Sequence, residues 1–185
     1  MRGTGAYVVD SSRPAPDHVL AKPRVLLGLS DRTAPPQPYF THAPDLASSS
    51  AVRAGGLGSL VEIPYGRSWT VEWAWDPQLA RYVRSEPWGP HVTEDGTRVT
   101  ADNVLVLRAE SRMEGPGRDL PVLQLIDAGG PFTALAGGRS VQGTWTKDGV
   151  TERFELVTDD GQLLELAPGR TWVEMPTPVA EVAIR

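Results

Sequence analysis

Trp69, Val71, Trp73 and Trp75 stand at alternate positions, separated by Thr70, Glu72 and Ala74. A period of two places these four large side chains on one face of an extended strand. Such a face is either a core or a binding surface, so it demands a covering layer or a partner. Val61 and Ile63 alternate in the same way just upstream, and Pro64 with Gly66 marks a bend between the two runs. After a turn at Asp76-Pro77, Arg81-Tyr82-Val83-Arg84 reads as the partner strand.

The rest of the chain keeps this grammar. Asn103–Leu107 and Val122–Ile126 are nearly continuous apolar runs, which suit buried strands. Phe132–Ala136, Ser140–Thr146 and Glu152–Val157 follow as short strands between glycine turns. Asp159-Asp160-Gly161 predicts a hairpin turn, because glycine supplies the positive φ that a primed turn requires. Pro168-Gly169 predicts another turn before the alternating segment Thr171–Met175, and Val179–Ile184 reads as a final strand. The expected fold class is mainly β, with antiparallel sheets arranged as a sandwich or open barrel.

The N-terminal third is less regular. Ala6–Val9 predicts a short strand, and Asp17 is placed to cap a short helix running to about residue 29 and limited by Pro23. Ala34–Pro38 is extended, and Ser48–Ser50 with Gly55-Gly56 marks a loop. The expected organisation is an N-terminal arm or connection over residues 1–57 and a β-rich domain over residues 58–185.

Charge and composition remove several function classes. The net charge is −5 and no basic cluster exists, which argues against a nucleic-acid footprint. The positive charge is almost all arginine, Lys22 and Lys147 being the only lysines. Cysteine is absent, so disulfides, thiolate metal sites and cysteine nucleophiles are excluded. No apolar run is long enough to span a membrane as a helix, and no apolar signal core follows Met1–Gly5. These ends fit a cytosolic protein or a piece of a longer one, and the irregular first residues favour the piece.

Few constellations carry chemistry. His18, His42 and His91 are not spaced as metal ligands on one helix face, and no cofactor is expected. His18 and His42 read as surface or hydrogen-bonded side chains. His91 follows Trp88-Gly89-Pro90 on a loop between two predicted strands, where function concentrates. Gly56–Leu60 lacks the glycine after serine that a nucleophile elbow needs, and Gly137–Ser140 lacks the lysine of a phosphate loop. Glu62 and Glu72 read as cross-strand neighbours on a solvated face. At least four of the six tryptophans are expected in the core, with Trp88 exposed in its Pro-Trp-Gly-Pro loop.

Three stretches together carry a resemblance. The first is Trp73-Ala74-Trp75-Asp76 followed by Tyr82-Val83-Arg84. The second is Pro90-His91 followed by Thr100–Val106. The third is Gly143-Thr144-Trp145, Phe154, Asp160-Gly161 and Pro168–Trp172. In order and spacing they resemble the C-terminal part of the YerB-like lipoproteins, a bacterial family of unknown function, over roughly residues 60–176. The resemblance implies an extracytoplasmic, membrane-anchored parent with a further N-terminal domain, of which this chain would be the C-terminal part and itself soluble. One departure stands out. The family pattern places an acid two positions after the histidine, where this chain has Thr93, and this counts against a metal or acid–base role for the loop.

The functional expectation is a non-catalytic binding or scaffolding domain of the bacterial cell envelope. Its ligand-binding candidates are Tyr82, Arg84, His91 and Asn103, which flank one strand–loop–strand connection. Arg84 is suited to a carboxylate or phosphate, or to pairing with Glu86 or Asp76. Asn103, at a strand start, is suited to satisfying loop backbone groups. The expected partner is a protein, an envelope component or the N-terminal domain of the parent. One alternative is a hydrolase of an envelope polymer using His91 and a nearby carboxylate. Another is structural support for that N-terminal domain, which predicts a large exposed apolar patch.

Overall fold

The computed structural model describes residues 3–15, 18–31, 34, 38–66, 68–115, 117 and 120–185. It divides into two compact units, Met1–Pro38 and Tyr39–Arg185. In the first, β1 (Tyr7–Val9) pairs antiparallel with β2 (Val19–Ala21), and α1 (Pro23–Gly28) follows. The helix is shorter than the sequence predicts. Pro23 opens it rather than limiting it, because a first-turn position needs no N–H donor. The expected cap Asp17 and most of the Ala34–Pro38 stretch lie outside the described residues.

The second unit opens with α2 (Ser50–Ala54) and β3 (Gly56–Leu57). The strands β4 (Leu60–Gly66), β5 (Trp69–Asp76), β6 (Arg81–Glu86), β7 (Gly89–Pro90), β8 (Thr100–Ala101) and β9 (Asn103–Leu107) come next. The chain continues through β10 (Ser111–Glu114), β11 (Leu120–Leu123), β12 (Ala128–Ala136), β13 (Arg139–Lys147), β14 (Glu155–Thr158), β15 (Thr171–Glu174) and β16 (Ala183–Ile184). One six-stranded sheet has the order β14-β13-β12-β9-β15, with β3 on β13. The other has the order β16-β4-β5-β6-β7, with β8 on β6. Pairing is antiparallel except between β15 and β9, which run parallel with Thr171 opposite Asn103. The fold is therefore mainly β, as the alternation and turn signals predict.

Within this unit, residues 39–57 pair with later segments. The Ala43 N–H donates to the Leu166 carbonyl and the Ser50 N–H to the Glu165 carbonyl, while Ala51 packs on Ala136 and Ala167.

The two large sheets share a core. Val61, Ile63, Val71, Trp73 and Tyr82 from one meet Val104, Val106 and Leu135 from the other. Alternate residues of β9 and β12 point away from this interface. Leu105, Leu107, Phe132 and Ala134 join Trp145, Leu156, Leu164 and Leu166 in a second core. Strand β9 is thus buried on both faces, which explains its unbroken apolar sequence.

Val122–Ile126 behaves differently from the buried strand its apolar run predicts. It supplies part of β11, in a two-stranded ribbon with β10. A ribbon presents one face to the core and one to solvent. Leu123 and Leu125 pack on the second core, while Val122 and Ile126 are exposed. The predicted last strand also shortens to Ala183–Ile184, and Val179 is exposed.

Four tryptophans meet the cores: Trp73 and Trp145 fully, Trp75 and Trp172 partly. Gly143 lets the Phe132 ring and the β14 backbone approach β13 closely. A Cβ there would overlap the Val157 carbonyl and come within 2.7 Å of the Phe132 ring. Gly161 takes φ +80 in the predicted turn. We expect Gly143→Ala to destabilise the fold by about 1–3 kcal/mol through overpacking, read as a lower denaturation midpoint at unchanged urea m-value.

Candidate functional site

Between the two sheets, at the end where β6 turns into β7, lies a charged cluster. Strand alternation builds it: Tyr82, Arg84 and Glu86 share the inward face of β6. From the opposite sheet β15 sends in Trp172 and Glu174, again two residues apart. The Glu174 carboxylate is buried and fully engaged. Its Oε1 accepts from Trp73 Nε1 at 2.8 Å and from Arg84 Nε at 3.1 Å, and its Oε2 accepts from the Tyr65 hydroxyl at 2.5 Å. The Tyr65 oxygen in turn accepts the Met175 N–H at 3.2 Å. Burial, reinforced by the Glu174 carboxylate, pushes the Tyr65 hydroxyl pKa well above its usual value.

Arg84 is buried and divides its donors. Besides Glu174, its Nη1 donates to Glu86 Oε1 and to His91 Nδ1, the latter at 2.7 Å. Its guanidinium also lies 5.3 Å from the Trp172 ring centroid and 5.9 Å from that of Trp73. Arginine has no acceptor, so this contact casts Nδ1 of His91 as the acceptor. His91 is placed by backbone pairing: its N–H donates to the Arg84 carbonyl, and its own carbonyl accepts from Val99 N–H. His91 is 32% exposed at its side chain and lies edge-on to Trp172. Its Nδ1 is 3.8 Å from Glu86 Oε1, beyond hydrogen-bond reach.

The tip of the loop after His91 is locked by local bonds. Thr93, where the resemblance expected an acid, donates its hydroxyl to Asp95 at 2.5 Å, and the Thr97 N–H donates to the same carboxylate at 3.0 Å. These bonds hold the Asp95 pKa down at about 2.

The sequence candidates separate into two groups. Arg84 and His91 come together. Tyr82 and Asn103 are completely buried and hold backbone. The Tyr82 hydroxyl donates to the Gly58 carbonyl at 2.7 Å, and burial raises its pKa. Asn103 donates to the Ala167 carbonyl and accepts from the Ala167 N–H, both at 2.8 Å, pinning the segment that leads into β15. Asp76, a weighed partner for Arg84, instead accepts the Gln78 and Leu79 N–H groups of its own turn. His42 is exposed, and His18 lies in the N-terminal unit.

Sequence reasoning missed Tyr65 and Glu174. A signal for Glu174 was present, since period two sets it on the same face as Trp172.

Around this cluster the strand ends carry exposed aromatics. Trp69, at the start of β5, is 46% exposed, and Trp88, in the β6–β7 turn, is 71% exposed. The two rings pack edge to face with centroids 5.0 Å apart. Trp69 thus departs from the buried face it shares by alternation, because it stands at the strand's first position. Beside Glu86 runs an open groove of about 560 Å³ lined by hydroxyl groups and acids, including Ser68, Thr70, Glu72 and Ser85. Among the described residues no three His, Asp or Glu side chains converge as metal ligands, and no helix is long and apolar enough to cross a membrane.

Residues 61–173 match the family described as protein of unknown function (DUF3048) C-terminal domain, more than half of the chain and all four sequence candidates. The chain belongs to this family. The DUF3048 fold also resembles a solved structure, that of the YerB protein from Bacillus subtilis, with a TM-score of 0.72 at 18% identity. The match covers 96% of this chain and 59% of the YerB chain, and at that identity it speaks for the fold alone. Comparison with curated proteins gave no match.

Two outcomes follow for the DUF3048 cluster. Arg84→Ala strands two buried carboxylates and is expected to cost about 3–5 kcal/mol, with Glu174→Gln milder because it keeps an acceptor for Trp73. The Tyr65 pKa is raised on folding, so its contribution is complete below the unfolded value of about 10 and is lost as pH rises above it. Denaturation midpoints across pH 8 to 11 are therefore expected to fall less steeply for Tyr65→Phe than for the parent protein (a range set from the tyrosine reference of about 10).

Proposed function

We propose that this domain is a non-catalytic binding module of the bacterial cell envelope, working from the β5–β7 end of its sandwich. The supporting observation is the exposed Trp69–Trp88 pair beside the β6–β7 hairpin, which ends in His91. Exposed aromatic faces with polar neighbours are suited to stacking against a ligand. Behind this surface Arg84 and Glu174 satisfy each other, and Tyr82 and Asn103 hold the frame. The hydrolase alternative needs a histidine relayed to an acid. Here Nδ1 of His91 faces Arg84 instead. The envelope location rests on the resemblance to YerB-like lipoproteins.

The test is retention of a solubilised envelope component on the immobilised domain. Trp88→Ala and His91→Ala, both at partly exposed positions, are expected to reduce retention by about tenfold or more while the melting temperature stays within a few degrees. Retention unchanged in both variants would overturn the proposal.

A further inference from the structure

A row of charged side chains and one serine crosses the outer face of the sheet that holds β4, β5 and β6. Register sets the row: Glu62 stands opposite Glu72, and Glu72 opposite Ser85. All three alternate with core-facing residues, so they point away from the sandwich interior and from Arg84 and Glu86. Arg98 extends the row beyond Ser85. Its neighbour Val99 packs in the core, and the Val99 carbonyl accepts the Arg84 N–H, which docks this segment on β6.

The charges of the row are not paired alike. Arg185 donates to Glu62 Oε2 at 2.8 Å. Glu72 is exposed and has no ion pair among the described residues. Two carboxylates directly opposite each other repel, so Glu72 favours a further cation. Arg98 is the converse. Its Nη2 donates to Ser85 Oγ at 3.1 Å and its Nη1 to the His91 carbonyl at 3.3 Å, both neutral acceptors, and no carboxylate meets it among the described residues. Burial without a counter-charge lowers its pKa. Because Ser85 accepts from Arg98, its own hydroxyl hydrogen is available to a ligand acceptor.

The open groove lies along this row: Glu72 and Ser85 line it, together with Thr70, Pro87 and Pro90. Arg98 adjoins it through the Ser85 hydroxyl. Glu72 and Arg98 stand two strand spacings apart, roughly 10 Å at the backbone. A single amino acid is too short to meet both. An extended chain of two or three residues spans roughly 7–10 Å.

We infer that the groove binds a short peptide with both termini free, its ammonium group on Glu72 and its carboxylate on Arg98 and Ser85. This rests on the binding reading above and names its ligand class. Binding is by ion pairs and hydrogen bonds, with no covalent step.

The test is calorimetric titration of the whole chain with trialanine, its N-acetylated form and its C-terminal amide. Each cap keeps the shape and removes one charge. Trialanine is expected to bind about tenfold or more tightly than either capped form, the value of a charge-assisted bond. Glu72→Gln is expected to abolish the effect of acetylation and keep that of amidation, and Arg98→Gln the reverse. Glu72→Gln, at an exposed position, keeps the test valid if Arg98→Gln unfolds. Equal binding of trialanine and either capped form would overturn the inference and leave the binding reading standing. Binding of none of the three would overturn it too, and the envelope-retention experiment then decides the binding reading separately. Phosphoethanolamine binding as tightly as trialanine would overturn the peptide component.

Discussion

A carboxylate placed between two β-sheets must be neutralised and hydrogen-bonded, or the sheets cannot close over it. Glu174 meets that demand with donors from three strands of the facing sheet: Tyr65 on β4, Trp73 on β5 and Arg84 on β6. Because β15 belongs to the other sheet, these bonds fix how the two sheets face one another at this end. Hydrophobic burial is largely indifferent to small slips. A carboxylate with three directed donors is not. The same bonds occupy Arg84, so its guanidinium is engaged between the sheets and not presented to solvent.

The central sheet imposes the other constraint. Strand β9 is buried on both sides, so each of its faces needs a cover. The second sheet covers Val104 and Val106, while Leu105 and Leu107 are covered by the β10–β11 ribbon and by loops that carry Phe40, Leu164 and Leu166. Residues 39–57 contribute to this packing through Ala51 and through backbone bonds to the 165–166 segment. The parallel docking of β15 on β9 is held at its start by Asn103, whose amide binds the Ala167 backbone in both directions.

Much of the β architecture was legible because its signals are local. The alternation of β5, the apolar run of β9 and the glycine of the 159–161 turn each state a backbone geometry within a few residues. The misreadings were also local ones. An apolar run such as Val122–Ile126 looks the same in a central strand and in a covering ribbon, and Pro23 reads as a stop or a start depending on the residues around it. Of the site, Arg84 and His91 were legible because they sit on one strand and the loop that follows it. The face taken by Glu174 was legible from its spacing to Trp172, but its pairing with Arg84 was not, since the two lie 90 residues apart.

The sequence by itself determined that this chain makes short strands joined by tight turns, that it lacks cysteine chemistry, and that Tyr82-x-Arg84 and Pro90-His91 lie close along the chain. Side-chain period and turn chemistry operate over neighbouring residues, so no folding is needed to read them. Only the tertiary structure decided that Tyr82 supports the frame, that Arg84 is spent on Glu174 as well as on Glu86, and that Glu86 Oε2 has no donor among the described residues. Those outcomes depend on which groups two sheets bring together across a low-dielectric core, and that pairing is not written in any one segment.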